Sequence, residues 1–313
     1  MAAPADLTFL APPGEVADWR LVLLFDAVAA SGALAALPAT LDELAADLGL
    51  DRHGLRVTLD ALAAWGVVAR EGDDHYRPGP EAPDASEAAA LRHHARALRQ
   101  WAATVDHRLR GAPPEVRPGM PDPELFLDGL AVGARRAAPA VVDLCLARFP
   151  AARSVLDLGG GHGEYSLEFA RRGLQATMQD LPTMAEIVAR RGVLAEAGVE
   201  LVAGSFFDAV PDGPFDLAFC AGITHTFDGA HNQALYRRLR PVVAPGGGVA
   251  VVTMLRHRHP LADVFAVQML ANANGGDTHG EDEYRAWLGQ AGFAVDEAPV
   301  DVRNRPQSVL FAT

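Results

Sequence analysis

The chain has no lysine: all 27 basic residues are arginine, set against 40 Asp and Glu in 313 residues. That absence excludes Schiff-base and pyridoxal chemistry, the G-K-[ST] phosphate loop and Ser-x-x-Lys hydrolysis, each of which needs a lysine amine. Cysteine is scarce. Cys145 and Cys220 cannot build a disulfide framework or a four-cysteine zinc site, so a reducing, cytoplasmic setting is expected. Positive charge is short as well, and a net charge of −13 argues against nucleic-acid partners, whose binding rests on neutralised phosphates. No apolar run is long enough for a bilayer. The most apolar stretch, Leu21 to Leu37, carries Asp26 and stops at Pro38, which predicts a buried helix and no membrane partner. The opening residues lack a basic segment followed by an apolar core, so no export signal is expected.

What is present is ample core material, 50% hydrophobic, and a length that suggests two domains. Helical periodicity governs residues 15 to 110. The helix predicted over Val16 to Leu37 is apolar on most sides, more than one subunit's surface should expose, which predicts a homodimer. Thr40 and Glu43 form a capping box for a short helix that Gly49 stops. Asp51 starts a second helix with Leu55, Leu59 and Leu62 on one face, and Val67-Val68 and His75-Tyr76 flank a hairpin turn. Helix, turn, helix and hairpin spell a winged helix. Its second helix offers only Arg52 and Arg56 against Asp51 and Asp60, so dimerisation is the favoured use over DNA binding. A linker over 78 to 90, a helix from Ala88 to Arg110 carrying Trp101, and a Pro/Gly-rich boundary from Gly111 to Pro123 complete this half. The expected domains are 1–112 and 113–313.

From residue 153 strands and helices alternate, which predicts a doubly wound parallel sheet, an α/β fold. Strands are expected at Ser154 to Leu158, Gln175 to Asp180, around Leu201-Val202, at Phe215 to Ala221 and at Gly248 to Met254. The loop Gly159-Gly160-Gly161-His162-Gly163 follows the first strand, where a cofactor can approach bare backbone. Asp180 ends the next strand, where a carboxylate can take both ribose hydroxyls. A dinucleotide fingerprint would need glycine where Glu164 stands. The pattern D-x-G-x-G-x-G, Asp157 to Gly163, suits a cofactor without phosphate.

The segments SVLDLGGGHGEYSLEFA, MQDLPTM, AGSFFD and RRLRPVVAPGGGVAVV resemble the S-adenosylmethionine-dependent O-methyltransferases of the caffeic-acid and bacterial natural-product type. The resemblance implies a Rossmann-like, mostly parallel seven-stranded methyltransferase domain behind a mainly α-helical winged-helix dimerisation domain. By that resemblance Asp157, Gly159 and Gly161 would line the methionine part of S-adenosylmethionine and Asp180 the ribose, with Leu181 beside it. Ser205 and Phe206 would hold the adenine, and Ala221 would stand where plant members have a lysine. Serine at 205 departs from the family's aspartate.

The family's base is a histidine after the fourth strand, and His225 stands there in Ile223-Thr224-His225-Thr226-Phe227. A histidine of ordinary pKa, about 6.5, suits removal of an acceptor proton near neutrality; the alternative is a cap on the following helix. The family's three acids around that base are Thr226, Thr253 and Thr278 here. Without them the resemblance leaves room for an acidic acceptor, for C- or N-methylation, or for non-methylating chemistry such as cyclisation, rearrangement or decarboxylation. A winged-helix regulator is the remote alternative. Trp101, Met120, Met269, Asn272 and His279 are the candidate substrate contacts, with Asn274 beside them. His257, His259 and His279 are weighed as metal ligands, and no metal is expected.

Overall fold

The computed structural model describes residues 19–112, 122–273 and 275–313, apart from the side chain of Asn272. Met120, Asn274 and the start of the Val16 to Leu37 helix therefore lie outside the described residues, as does the Asn272 side chain. Two compact units divide between Arg99 and Gln100. The division falls inside a long helix, where the sequence pointed to the Gly111–Pro123 segment.

In the first unit α1 spans Trp19–Ala30. It is shorter than expected because Gly32 turns the chain at φ +85 and the Ser31 hydroxyl donates to the Val28 carbonyl. Strand β1 (Ala39–Thr40) leads into α2 (Leu41–Leu48), whose capping box is reciprocal: Glu43 N–H donates to Thr40 Oγ1, and Thr40 N–H to Glu43 Oε2. Gly49, in the left-handed region, ends it. Helix α3 (Arg52–Ala64) is capped by Asp51 and buries Leu55, Leu59 and Leu62. They pack with Phe25, Val28, Leu41, Leu44 and Tyr76. Strands β2 (Val68–Glu71) and β3 (His75–Pro78) form the expected hairpin, and β1 joins β3 as a third strand. The Tyr76 hydroxyl donates to Asp60, tying hairpin to α3. Helix α4 (Ala85–Leu109) starts three residues before the expected Ala88, because Asp84 and Glu87 exchange backbone–side-chain hydrogen bonds across its first turn.

In the second unit α5 is one helix, Pro123–Arg148, capped by Asp122. Pro139 sits in its interior on the exposed side and offers no N–H to the helix ladder. Then follow β4 (Ser154–Leu158), α6 (Glu164–Arg171), β5 (Gln175–Asp180), α7 (Pro182–Arg191), α8 (Val193–Glu196), β6 (Glu200–Ala203) and β7 (Phe215–Ala221). Next come α9 (Gly229–Leu239), β8 (Val243–Thr253), α10 (Pro260–Asn272), α11 (Glu281–Gln290), β9 (Val300–Asp301) and β10 (Ser308–Ala312). The seven strands run β6-β5-β4-β7-β8-β10-β9; β6 to β8 are parallel, while β10 is antiparallel to both neighbours. Strand β8 begins at Val243, not Gly248. The Ala244–Gly247 turn is an irregularity inside it, bridged by Phe215↔Val243 and Leu217↔Gly248 pairing.

Alternation along β4 sends Val155 to one face with Phe169, Met178, Phe219 and Val142, and Leu156 and Leu158 to the other with Leu235, Tyr236, Leu239 and Leu288. The chain winds one way from β4 through β6 and the other from β7 onward. The switch point therefore lies between the carboxyl ends of β4 and β7. Among the described residues no helix is long and apolar enough to cross a membrane.

Candidate active site

The glycine loop follows β4 at that switch point. Gly159, Gly161 and Gly163 all have positive φ, which only glycine adopts without strain. Their free sides differ. A Cβ on Gly159 would stand 2.6 Å from Ile223 Cγ2, so this glycine admits a neighbouring side chain. A Cβ on Gly161 would find nothing nearer than Leu127 Cδ2 at 3.5 Å, which leaves that face open to a ligand. Asp180 closes the loop from the end of β5: Oδ2 accepts from Gly161 N–H (2.7 Å) and Oδ1 from Leu181 N–H (2.6 Å). Each oxygen keeps a second lone pair for a ligand hydroxyl. Burial raises the Asp180 pKa, and the two backbone N–H groups oppose the rise. Leu181 beside it is exposed, an apolar surface next to the carboxylate.

Asp157 lies under the loop, not in it. It is buried, accepts from the Ser166 hydroxyl (2.6 Å) and joins β4 to α6. Burial pushes its carboxyl up to about 7. His162 accepts from Glu164 N–H through Nδ1 at the start of α6, with its pKa held down at about 4 by burial. After β6, Ser205 Oγ accepts from Phe207 N–H (3.1 Å). Phe206 packs against Phe207, centroids 4.8 Å apart, and edge-on to Phe227 at 5.9 Å. Its half-buried ring and the half-buried Ala221 at the end of β7 leave an apolar ledge beside the loop.

His225 occupies a single 3-10 turn, Thr224–Thr226, just past β7. The helix-cap alternative does not hold: Asp228 caps α9, accepting from His231 N–H. The His225 ring is half-buried, edge-on to Phe265 of α10 at 4.8 Å, and makes no side-chain hydrogen bond among the described residues. Burial, helped by His279, holds its pKa down at about 4, well below the 6.5 expected from sequence. The ring is neutral at pH 7 and its lone pair is free.

The three threonines have distinct places. Thr226 Oγ1 donates to the Ile223 carbonyl. The buried Thr253 hydroxyl lies 3.4 Å from the Tyr284 hydroxyl, which is 2.8 Å from Thr224 Oγ1. The buried Thr278 Oγ1 has no partner. None of them bonds the His225 ring.

Among the proposed substrate contacts, Met269 is buried near His225: its Cβ and the His225 carbonyl both lie within 3.4 Å of where a Cβ on Gly276 would stand. Trp101 is half-buried on α4, whose end is tied to α10 by Arg108 Nε donating to the Leu270 carbonyl. His279 is placed differently from its expected role. It is 4% exposed, packs edge-on against Trp287, and bonds the Phe227 carbonyl through Nε2, so its ring braces protein and does not face a substrate. His257 pairs with Asp263, and His259 caps α10 through Nδ1. Among the described residues no group of three or more His, Cys, Asp or Glu is placed to hold a metal.

Sequence reasoning missed Asn232, Tyr284 and Phe265. The signal for Asn232 was available: it shares the buried stripe of α9 with Leu235, Tyr236 and Leu239, where a polar side chain needs a reason.

A glycine loop after β4, a carboxylate ending β5 and a histidine just past β7 stand at the carboxyl ends of neighbouring strands, and comparison with known proteins decides what they serve. A family model described as an O-methyltransferase domain matches residues 125–294. The chain belongs to the O-methyltransferase family. This O-methyltransferase is 32% identical over 301 residues to the 3-amino-4-hydroxybenzoate 4-O-methyltransferase of Streptomyces cremeus, covering 87% of this chain and 79% of that protein. It is 30% identical over 283 residues to the tetracenomycin polyketide synthesis 8-O-methyl transferase TcmO of Streptomyces glaucescens, covering 83% of each. In fold it matches mitomycin 7-O-methyltransferase MmcR (TM-score 0.75, 24% identity, 94% of both chains). It also matches human N-acetylserotonin methyltransferase in complex with SAM (TM-score 0.75, 20% identity, 100% of this chain and 99% of that one).

The cofactor of this O-methyltransferase is S-adenosylmethionine, and the cleft fits it. The open face of Gly161, the free lone pairs of Asp180 and the exposed Leu181 suit a neutral ribose and adenine. Glu164 at the start of α6 would repel a pyrophosphate. S-adenosylmethionine supplies an activated methyl group; the protein must align the acceptor and take its proton.

Proposed function

We propose that this enzyme methylates the hydroxyl of a small, acidic aromatic molecule, with His225 as the base. The observation that carries the reading is the place of His225: in the turn just past the strand beside the glycine loop, its ring edge-on to Phe265 and without a side-chain hydrogen bond among the described residues. A ring with a pKa near 4 is a weak base, and proton transfer from an unactivated alcohol to it would be steeply uphill. A phenol close to ionising at neutral pH needs only alignment and a local proton acceptor. The two bacterial relatives, one named for a hydroxybenzoate and one for a polyketide, support a small-molecule hydroxyl as acceptor. His225 Nε2 or Nδ1 would take the hydroxyl proton as the oxygen gains the methyl group, and the imidazolium would return that proton to water. Asp180, Leu181, Gly161 and Phe206 would hold the cofactor, with Ser205 and Ala221 beside the adenine. Trp101 and Met269 would line the acceptor side.

The first unit acts as a winged-helix dimerisation domain in this reading. Trp19, Val57 and Trp65 are large apolar side chains left exposed on it, as expected of a face that meets a second copy. The enzyme works in the cytoplasm, consistent with its two free cysteines. The experiment is incubation with S-adenosylmethionine and, in parallel, 4-hydroxy-3-nitrobenzoate, whose phenol ionises near neutrality, and 3-amino-4-hydroxybenzoate, whose phenol does not. S-adenosylhomocysteine and the methyl ether are followed by mass spectrometry, and the first acceptor should turn over faster. Conversion of aromatic acceptors to isomers, with no S-adenosylhomocysteine formed, would overturn the reading.

A further inference from the structure

The turn that carries His225 is three residues long, too short to hold its own shape. Its ring rests edge-on against Phe265 without a hydrogen-bonding partner, so its aim depends on whatever fixes the backbone from 224 to 228. Asn232, fully buried on α9, grips that backbone. Its Nδ2 donates to the carbonyls of Thr224 (3.0 Å), Phe227 (3.2 Å) and Asp228 (3.1 Å). Two of these stand on either side of His225, one residue before it and two after. His279 Nε2 lies 2.8 Å from the same Phe227 carbonyl. A carbonyl only accepts, so that nitrogen carries a proton. The 3.4 Å approach of Asn232 Nδ2 to His279 Nε2 is therefore two donors sharing one acceptor. The other end of the Asn232 amide is the telling detail. Its Oδ1 is buried with no partner among the described residues, an unfavourable state for a polar atom. The site keeps the amide for its donors and leaves the acceptor idle.

We propose that Asn232 is a positioning residue for His225: with His279 behind it, its amide aims the base by holding the backbone on both sides. The proposal rests on His225 being the base. The device takes the place of a carboxylate bonded to the ring, and it explains how the base stays ordered among threonines. An aspartate at 232 would set a buried negative charge against three carbonyl oxygens, and a leucine would leave all three unsatisfied by it.

The test is a double-variant comparison in the full chain, with 3-amino-4-hydroxybenzoate as acceptor probe and S-adenosylhomocysteine as readout. Asn232→Leu should lower kcat about ten- to hundredfold with little change in KM for the cofactor. In the His225→Ala background the same substitution should cost less than about twofold, because an effect that passes through His225 vanishes with it. Equal loss in both backgrounds would overturn the proposal while leaving His225 as the base. No loss from His225→Ala alone would overturn the reading beneath it. A readout free of activity is the ring signal of His225 in protein carrying 13C-labelled histidine, assigned as the signal missing from His225→Gln. Asn232→Leu should shift or broaden that signal and leave His75, in the first unit, unchanged; an unmoved His225 signal in the folded variant would refute the proposal. If Asn232→Leu does not fold, Asn232→Ser, which keeps one donor, should show the same pattern at roughly a third of the size on a logarithmic scale. No coupling to His225 in that variant would be equally decisive.

Discussion

The two halves of the cleft are built by opposite means. On the β4–β5 side a charged side chain organises backbone: Asp180 draws the N–H groups of Gly161 and Leu181 onto its two oxygens. On the β7–β8 side a neutral amide and a histidine organise backbone by donating to its carbonyls, and the His225 ring makes no side-chain hydrogen bond among the described residues. The first arrangement suits a site whose ligand is polar and always the same. The second suits a base that must stay neutral and free until an acceptor arrives. A carboxylate on the ring would make it more basic; hydroxyls near it do not. The difference teaches that loss of acidic partners need not mean loss of order, only of basicity.

The sharpest way to break this comparison is to remove the base. His225→Ala should lower turnover by roughly 10²–10⁴-fold while cofactor affinity, measured by calorimetry, stays nearly unchanged. Asp180→Ala should do the reverse, weakening S-adenosylmethionine binding by about 1.5–3 kcal/mol. The loop N–H groups it anchors would be released as well. Unchanged calorimetric affinity would remove Asp180 from the cofactor side.

The third test concerns Asp157, whose buried carboxyl is raised from 3.8 to about 7. A group whose folded pKa is raised stabilises fully below its unfolded value, and that contribution is lost as pH climbs through the folded value. Asp157→Asn keeps an acceptor for Ser166 and cannot ionise. Its melting temperature relative to wild type should therefore be higher at pH 8 than at pH 4, by about 2–4 °C per kcal/mol relieved. A difference independent of pH would show that the carboxyl is not held protonated.

The smallest effect is in the pH profile. With its pKa near 4, the ring accepts protons at any higher pH, so it imposes no loss of rate between pH 8 and pH 6. The reading can be checked with 3-amino-4-hydroxybenzoate, whose phenol stays protonated over this range and so still has a proton for the base to take. A downturn centred near 6.5, abolished in His225→Ala, would mean that the ring is ordinary and the comparison overdrawn.

Much of this was legible in the sequence, for reasons that differ from residue to residue. The strands Ser154–Leu158, Gln175–Asp180 and Phe215–Ala221 stand at the expected bounds: the first and third are mostly apolar and closed by Gly159 and Gly222, and the second ends at Asp180 just before Leu181-Pro182. The caps at Thr40 and Asp51 were legible because they are local chemistry. Helix α4 began early because two acids capped it within a segment read as linker, and β8 began early because Val243 pairs with Phe215 ahead of the Ala244–Gly247 irregularity. The carbonyl-holding role of His279 was not legible. It depends on a segment some fifty residues away reaching the His225 turn, and spacing along the chain carries no trace of that. The pKa of His225 was misjudged for the same cause, since the packing that desolvates it is tertiary.

The proline inside α5 has a mechanical consequence. Pro139 lacks the N–H that would tie it to Arg135, so the helix is a rod with one tie missing. Beyond it Val141, Val142 and Cys145 are locked in the core. Before it lie Leu127, the nearest atom to the open face of Gly161, and Arg135, which reaches Glu164 at the foot of α6. Leu127 packs in the same core as Val141, Val142 and Cys145, so the helix under the cofactor loop gives up one ladder hydrogen bond at Pro139 and keeps its packing on both sides of it.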